Sequence, residues 1–268
     1  MPDSDNKPLG LWARFRDMPN DRPAKTLIIT LAVAFTGAVL VSTSAVLLKP
    51  IQIIDKELDR RQHIEEIVKN LPGGGVGIII APRIIDLATG EYVADMDATQ
   101  FDQRRAATNP DESIEVLPAN DIANLSRRSR KAVVYVGHRD GKTELVILPV
   151  RGQGYGSMLY GYLGLAADAN TVIGLSFYEH SETPGLGALI DTDAWKKQWQ
   201  GKLVHDGGVV RIGVASRRIE SGSEDGAYQV DALTGATWTG LGVNNLLHYW
   251  LGPDGFGPYL AKFGKRGD

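Results

Sequence analysis

From Thr26 to Leu48 the chain reads TLIITLAVAFTGAVLVSTSAVLL, 23 residues without a charge, bounded by Lys25 and by Lys49-Pro50. As a helix rising about 1.5 Å per residue this stretch is roughly 34 Å long, enough to cross a hydrocarbon core of about 30 Å. An uncleaved transmembrane helix over 26–48 is therefore expected. The competing reading is a secretory leader cut near STSA, but a leader's apolar stretch runs only about 7–15 residues. Within the span, Thr30, Ala34, Ala38 and Ser42 recur every fourth residue. Such a stripe lets a neighbouring helix approach closely. Beyond the span the rhythm stays helical but becomes charged. Ile51, Ile54, Leu58, Ile64 and Ile67-Val68 predict a helix over 51–71 that continues out of the membrane and is ended by PGGGVG at 72–77.

The rest of the chain changes to a two-residue rhythm. Residues 76–80, RIIDL and EYVADM around ATGE, KAVVYVG, TELVILPV and TVIGLSFYEH are the strand candidates, rich in β-branched and aromatic residues. HRDGKT sets Asp-Gly between two of them, a hairpin signal. Glu182-Thr183-Pro184-Gly185 suits a type II turn, and DTDAWKKQWQG a capped helix ending near Gly201. RRSRK at 127–131 is expected on a solvated surface. Four parts follow: a tail over 1–25, the span over 26–48, a connecting helix and linker over 49–75, and a globular domain over 76–268. The expected fold class is α+β, with one N-terminal transmembrane helix and then a domain built on a largely antiparallel sheet with helices packed against it.

Composition narrows the chemistry. A net charge of −3 disfavours broad nucleic-acid binding, which needs surplus Lys and Arg. With no cysteine, disulfides, thiol nucleophiles and iron–sulfur ligation by this chain are excluded. The five histidines show no metal-ligand spacing. There is no G-x-S-x-G elbow and no G-x-G-x-x-G fingerprint, and PGGGVG lacks the Gly-Lys-Ser/Thr of a phosphate loop. Orientation is undecided by charge: Arg14, Arg16, Arg22 and Lys25 precede the span, and Lys49, Lys56, Arg60 and Arg61 follow it, four against four.

One stretch carries candidate chemistry. In DALTGATWTGLGVNN (231–245), Val243, Leu246, Leu247 and Trp250 form the apolar face of a helix, so Thr234-Gly235-Ala236-Thr237 lies at that helix's start. Two readings stay open. Thr237 or Thr239 is a simple N-cap, or the segment seats a phosphate on the helix's unpaired N–H groups, with Gly235 and Ala236 leaving the backbone uncovered. HSETPGLG at 180–187 is similarly either a plain strand–turn–helix connection or a place where glycines admit a flat ligand to the backbone.

DALTGATWT resembles the signature Asp-x-x-Ser/Thr-Gly-Ala-Thr of proteins that carry FMN covalently through a threonine phosphoester. The resemblance puts the acceptor on Thr237, the aspartate on Asp231, the hydroxyl residue on Thr234 and the small pair on Gly235 and Ala236. Thr234 stands where serine is more usual, and the bulky Trp238 is uncommon. VSTSAVLLKPIQIIDKELDRRQHI, RIIDLATGEYV, LPVRGQGYGSMLYGYLGL and HSETPGLG are similar to segments of the C subunits of Na⁺-translocating NADH:quinone reductases. The related G subunit of the Rnf electron-transport complex shares the motif and the turn but is shorter. The resemblance implies an electron-relay subunit of a sodium-pumping NADH:ubiquinone reductase in the bacterial inner membrane, with its domain in the periplasm. It also implies covalent FMN on Thr237, loaded by a Mg²⁺-dependent flavin transferase, and other reductase subunits as partners. Glu182, Thr183, Gly185, Leu186 and Gly187 would then face the flavin ring, Leu186 as an apolar wall and the turn's backbone as donor. The alternatives are an Rnf-type electron-transport subunit with the same flavin linkage, or a flavin-free membrane-anchored scaffold module in which TGAT is only a cap.

Overall fold

The computed structural model describes Phe15, Arg16, Pro19 and residues 22–220 and 222–263, with the backbone alone between 46 and 60. The expected tail thus lies mostly outside the described residues. The chain divides into two units, 1–58 and 59–268. The first described element, helix α1 (Pro23–Lys69), crosses that boundary. Its segment Pro23–Ala45, 23 residues of mean hydropathy 2.1, is the one helix among the described residues long and apolar enough to cross a membrane. Leu27, Leu31 and Phe35 on it are exposed, as lipid-facing side chains would be.

The second unit is built on a five-stranded antiparallel sheet: β1 (Ile79–Asp86), β4 (Lys131–Arg139), β5 (Lys142–Gln153), β6 (Met158–Ala166) and β7 (Val172–Glu179), in the order β1-β4-β5-β6-β7. Between β1 and β4 come the short helix α2 (Gln103–Thr108) and the strand pair β2 (Ser113–Glu115) and β3 (Arg127–Ser129). Asp140 and Gly141, both with positive φ, close the β4–β5 hairpin at the Asp-Gly signal, with Arg139 opposite Lys142. The two faces of the sheet follow the period of two. Leu145 and Ile147 point one way, against Ile64, Ile67 and Leu71 from the end of α1 and just beyond it. Val146, Leu148 and Val150 point the other way, into the main core with α4 (Thr237–Leu251) and α5 (Gly257–Phe263). On α4, Val243, Leu246, Leu247 and Trp250 are each at most 1% exposed, the face the periodicity predicts.

Several local expectations shift. β1 begins at Ile79 rather than at 76, because the left-handed Gly73, Gly74, Gly75 and Gly77 turn the chain until then. Pro82 lies within β1, tolerable because β1 is the sheet's edge. EYVADM forms only a bridge from Tyr92 to Ile85. Helix α3 (Asp193–Lys197) is short, and the Thr192 hydroxyl bonds back to the Leu189 carbonyl instead of capping it. RRSRK is not all solvated: Arg128 is 5% exposed, because β3 turns it into the domain while Arg130 remains outside.

Candidate functional site

Helix α4 starts with Ala236 at its N-cap (φ −131°, ψ 48°), and no side chain bonds its free N–H groups. The capping reading of the motif therefore fails. Thr237 is the first helical residue and is exposed, so it lies past the position where a cap would act. Thr239 is 1% exposed and donates its hydroxyl to Glu182 Oε2 at 2.5 Å. The hydroxyls of the motif thus divide: Thr234 and Thr237 are open to solvent, and Thr239 is spent inside. Gly235, at φ +75°, makes the left-handed bend that delivers the chain into the helix, a conformation a side chain would strain. Leu233 and Ala236 are buried on either side of it and anchor the bend. The result is a 15-residue helix whose positive end and unpaired donors are presented beside an exposed hydroxyl.

A cavity of about 520 Å³ opens at this helix end, within the roughly 300–1,000 Å³ usual for cofactor sites. Thr237, Gly240, Leu241 and Asn244, one helical stripe, form one wall, and residues 231–236 continue from it. The facing wall is Val214 to Arg218. That wall leaves β10 (Gly213–Val214), which pairs in parallel with β11 (Gln229–Val230), so residues 215–228 are the crossover between them. Two side chains fix where it begins. Asn244 of α4 accepts from Val214 N–H (2.5 Å) and donates to Val214 C=O (2.9 Å). Asp231 accepts from Ile219 N–H at 2.8 Å, while its own N–H donates to Gln198 Oε1 at 2.9 Å. Further along, Arg211 holds Asp206, Glu224 and Asp225 at 2.7, 2.6 and 3.1 Å and lies over the Tyr228 ring, tying the crossover's far end to the hairpin β8 (His205–Asp206) and β9 (Val209–Val210). Burial pushes the Lys202 ammonium below its ordinary value, and the nearby Asp231 carboxylate opposes that shift.

The turn at 182–187 lies against the same helix start, outside the cavity lining. Pro184 and left-handed Gly185 (φ +76°) occupy its centre and Leu186 N–H closes it on Thr183 C=O at 3.1 Å, as a type II turn requires. Leu186 is 43% exposed and stands over the bend: a Cβ on Gly235 would fall 2.9 Å from its Cδ2. Glu182 points inward instead. It is 5% exposed, and besides Thr239 it takes the Gly156 N–H at 3.0 Å. Gly187 is the roof of this pair, since a Cβ there would meet Thr239 Oγ1 at 2.5 Å and Glu182 Oε2 at 2.7 Å. Behind the turn, His180 Nδ1 accepts the Glu182 N–H (3.1 Å) and its Nε2 pairs with Asp191 (2.7 Å).

Of the residues singled out from sequence, Asp231, Thr234, Gly235, Ala236 and Thr237 line the cavity together; Glu182, Thr183, Gly185, Leu186 and Gly187 do not. Leu186 reaches the motif's backbone, whereas the Glu182 carboxylate is committed to Thr239 and Gly156. The sequence reading missed Arg217, Arg218 and Asn244. Its only signal for the first two was the basic pair in ASRRIE, fourteen and thirteen residues ahead of Asp231.

Comparison with known proteins identifies the family. Residues 154–252, which contain β6, β7, the turn and every residue that lines the cavity, match the FMN-binding domain family. The C subunit of the Na(+)-translocating NADH-quinone reductase of Pseudomonas aeruginosa is 40% identical over 250 residues, covering 90% of this chain and 96% of that protein. That of Vibrio anguillarum is 40% identical over 248 residues, covering 91% and 96%. The crystal structure of NqrC from Shewanella oneidensis superposes with a TM-score of 0.64 at 35% identity, over 69% of this chain and 84% of that one. The corresponding subunit from Parabacteroides distasonis gives a TM-score of 0.57 at 25% identity, over 80% and 96%. With this identity over nearly the full length of its relatives, and with the FMN-binding domain falling on the cavity, the chain belongs to the NqrC family, the C subunits of Na⁺-translocating NADH-quinone reductases.

Proposed function

We propose that this chain is the electron-relay subunit of a Na⁺-pumping NADH:quinone reductase, anchored in the bacterial inner membrane by α1, with its domain in the periplasm and FMN esterified to Thr237. The observation that carries this reading is the uncapped start of α4, with an exposed Thr237 hydroxyl, at the mouth of a cavity of about 520 Å³. The residues present fit a flavin phosphate. The left-handed Gly235 leaves backbone N–H groups uncovered, the helix end favours negative charge, and Leu186 offers an apolar surface beside the bend. When bound, FMN supplies reversible electron acceptance and donation. The chain's part is to hold it, orient it and prevent its loss. Thr237 provides the oxygen of the ester, Asp231 fixes the facing wall through Ile219, and the 182–187 turn flanks the attachment point. The chain alone has no complete reductase activity, since donor and acceptor belong to the other subunits.

Attachment is assigned to a separate flavin transferase. The Thr237 Oγ–P bond forms as the pyrophosphate P–O bond of FAD breaks, AMP leaves, and the hydroxyl proton passes to solvent. Intact mass after coexpression with the transferase tests this: wild type gains FMN minus water, and Thr237→Ala gains nothing. The unloaded Thr237→Ala protein should also unfold within about 0.5 kcal/mol of wild type, because no cap is lost. A loss near 1 kcal/mol without a mass gain in wild type would return Thr237 to a capping role.

A further inference from the structure

Arg217 and Arg218 line the cavity opposite the first turn of α4, are exposed, and make no side-chain hydrogen bond or ion pair among the described residues. The other arginines near the domain's surface networks behave differently: Arg211 holds three carboxylates, and Arg104 pairs with Glu179 at 2.9 Å. Both ends of the segment that carries this arginine pair are fixed. Val214 is clamped at its N–H and its C=O by Asn244, and Ile219 is held by Asp231. The four residues between, Ala215 to Arg218, therefore cannot drift far from Thr237. Two guanidinium groups against the single carboxylate of Asp231 leave the cavity wall with a surplus of positive charge. To this the helix end adds its own partial positive charge. Guanidinium forks and uncapped N–H groups together match the oxygens of a phosphate.

We propose that Arg217 and Arg218 are the positioning residues for the flavin phosphate, and that they make the site select phosphorylated flavin over riboflavin. This rests on the reading of Thr237 as the FMN acceptor and deepens it. The arginines hold the phosphate in place against α4, and the ester to Thr237 makes that placement permanent. Free inorganic phosphate shares the chemistry, so the test separates the two.

The test uses the full chain in detergent, as Thr237→Ala produced without transferase, titrated with FMN and with riboflavin and followed by flavin fluorescence. FMN should bind at least about tenfold tighter than riboflavin, the gain expected of charge-assisted contacts to one phosphate. Added R217Q and R218Q should abolish that preference while leaving riboflavin affinity unchanged, and lysine at both positions should restore part of it. Inorganic phosphate should compete with FMN and leave riboflavin binding alone, and raised salt should weaken FMN only. A preference that survives the glutamines, an equal loss for both flavins, or no FMN binding at all overturns the proposal. Phosphate that competes while FMN and riboflavin bind equally would make this an inorganic-anion site and overturn it too. The acceptor reading fails separately, if wild type with transferase gains no FMN mass.

Discussion

A carboxylate buried against a hydroxyl and an amide has to be matched by both, because each partner left alone keeps its desolvation cost and loses its bond. Glu182 is in that position: Thr239 in the first turn of α4 and Gly156 in the β5–β6 connection both donate to it. It thereby joins three segments that meet beneath Thr237. Glu182→Ala should destabilise the unloaded protein by about 1–3 kcal/mol, chiefly through the buried Thr239 hydroxyl it orphans, since Gly156 is exposed and its N–H can turn to water. Thr239→Val should cost less, and the double variant should cost clearly less than the sum of the two, since both remove the same bond. Urea unfolding of the four proteins checks this; strict additivity would mean that Glu182 and Thr239 are not coupled in solution. The sequence placed Glu182 in the right neighbourhood, because ETPGLG carries its own turn chemistry. It did not reveal that the side chain faces away from the cavity, since the partner that turns it inward lies 57 residues ahead. Arg217 and Arg218 escaped notice for the same reason: a basic pair acquires meaning only when Asn244, far along the chain, fixes what it faces.

At the scale of elements, legibility followed periodicity. The β4–β5 hairpin was readable because alternation on both sides met an Asp-Gly turn, and α4 because four apolar residues shared one face. The strands β10 and β11 have two residues each and no period to detect, yet their parallel pairing is what creates the crossover wall of the site. The last turns of α1 were legible as a helix but not as part of the domain's packing. There Glu66 accepts from Ser176 of β7 at 2.8 Å and from Lys196 of α3 at 3.0 Å, and His63 lies on the same Ser176 hydroxyl at 2.7 Å. Burial by itself would raise the Glu66 carboxyl, but the Ser176 and Lys196 hydrogen bonds, with the Lys196 and His63 charges, bring it below its ordinary 4.5. A carboxylate lowered in the folded state adds stability above the unfolded value, and that stability is lost as pH falls through the lower folded one. Amides of residues 64–69 should therefore lose exchange protection as the medium is acidified below about pH 4.5. Glu66→Gln should flatten that dependence; an unchanged acid profile in the variant would assign the loss to other carboxylates.

At the scale of the whole molecule, the proposed periplasmic placement of the second unit rests on its cofactor rather than on the residues that flank the span. Flanking charge gives four against four, so the usual bias has nothing to act on near the span. Cysteine content is equally neutral: a domain without disulfides folds in either redox compartment. What favours the periplasm is the proposed covalent ester, because a cofactor that cannot dissociate needs no local supply, and a domain outside the cytoplasm has none. Alkaline phosphatase fused after the full chain decides the matter, since that reporter requires disulfides and is active only outside the cytoplasm. High phosphatase activity is expected, together with a dark fluorescent-protein fusion at the same point. The reverse pair would put Thr237 in the cytoplasm, where dissociable FMN is at hand. The ester would then have to be explained by geometry alone, as a means of fixing the flavin against α4 rather than of retaining it.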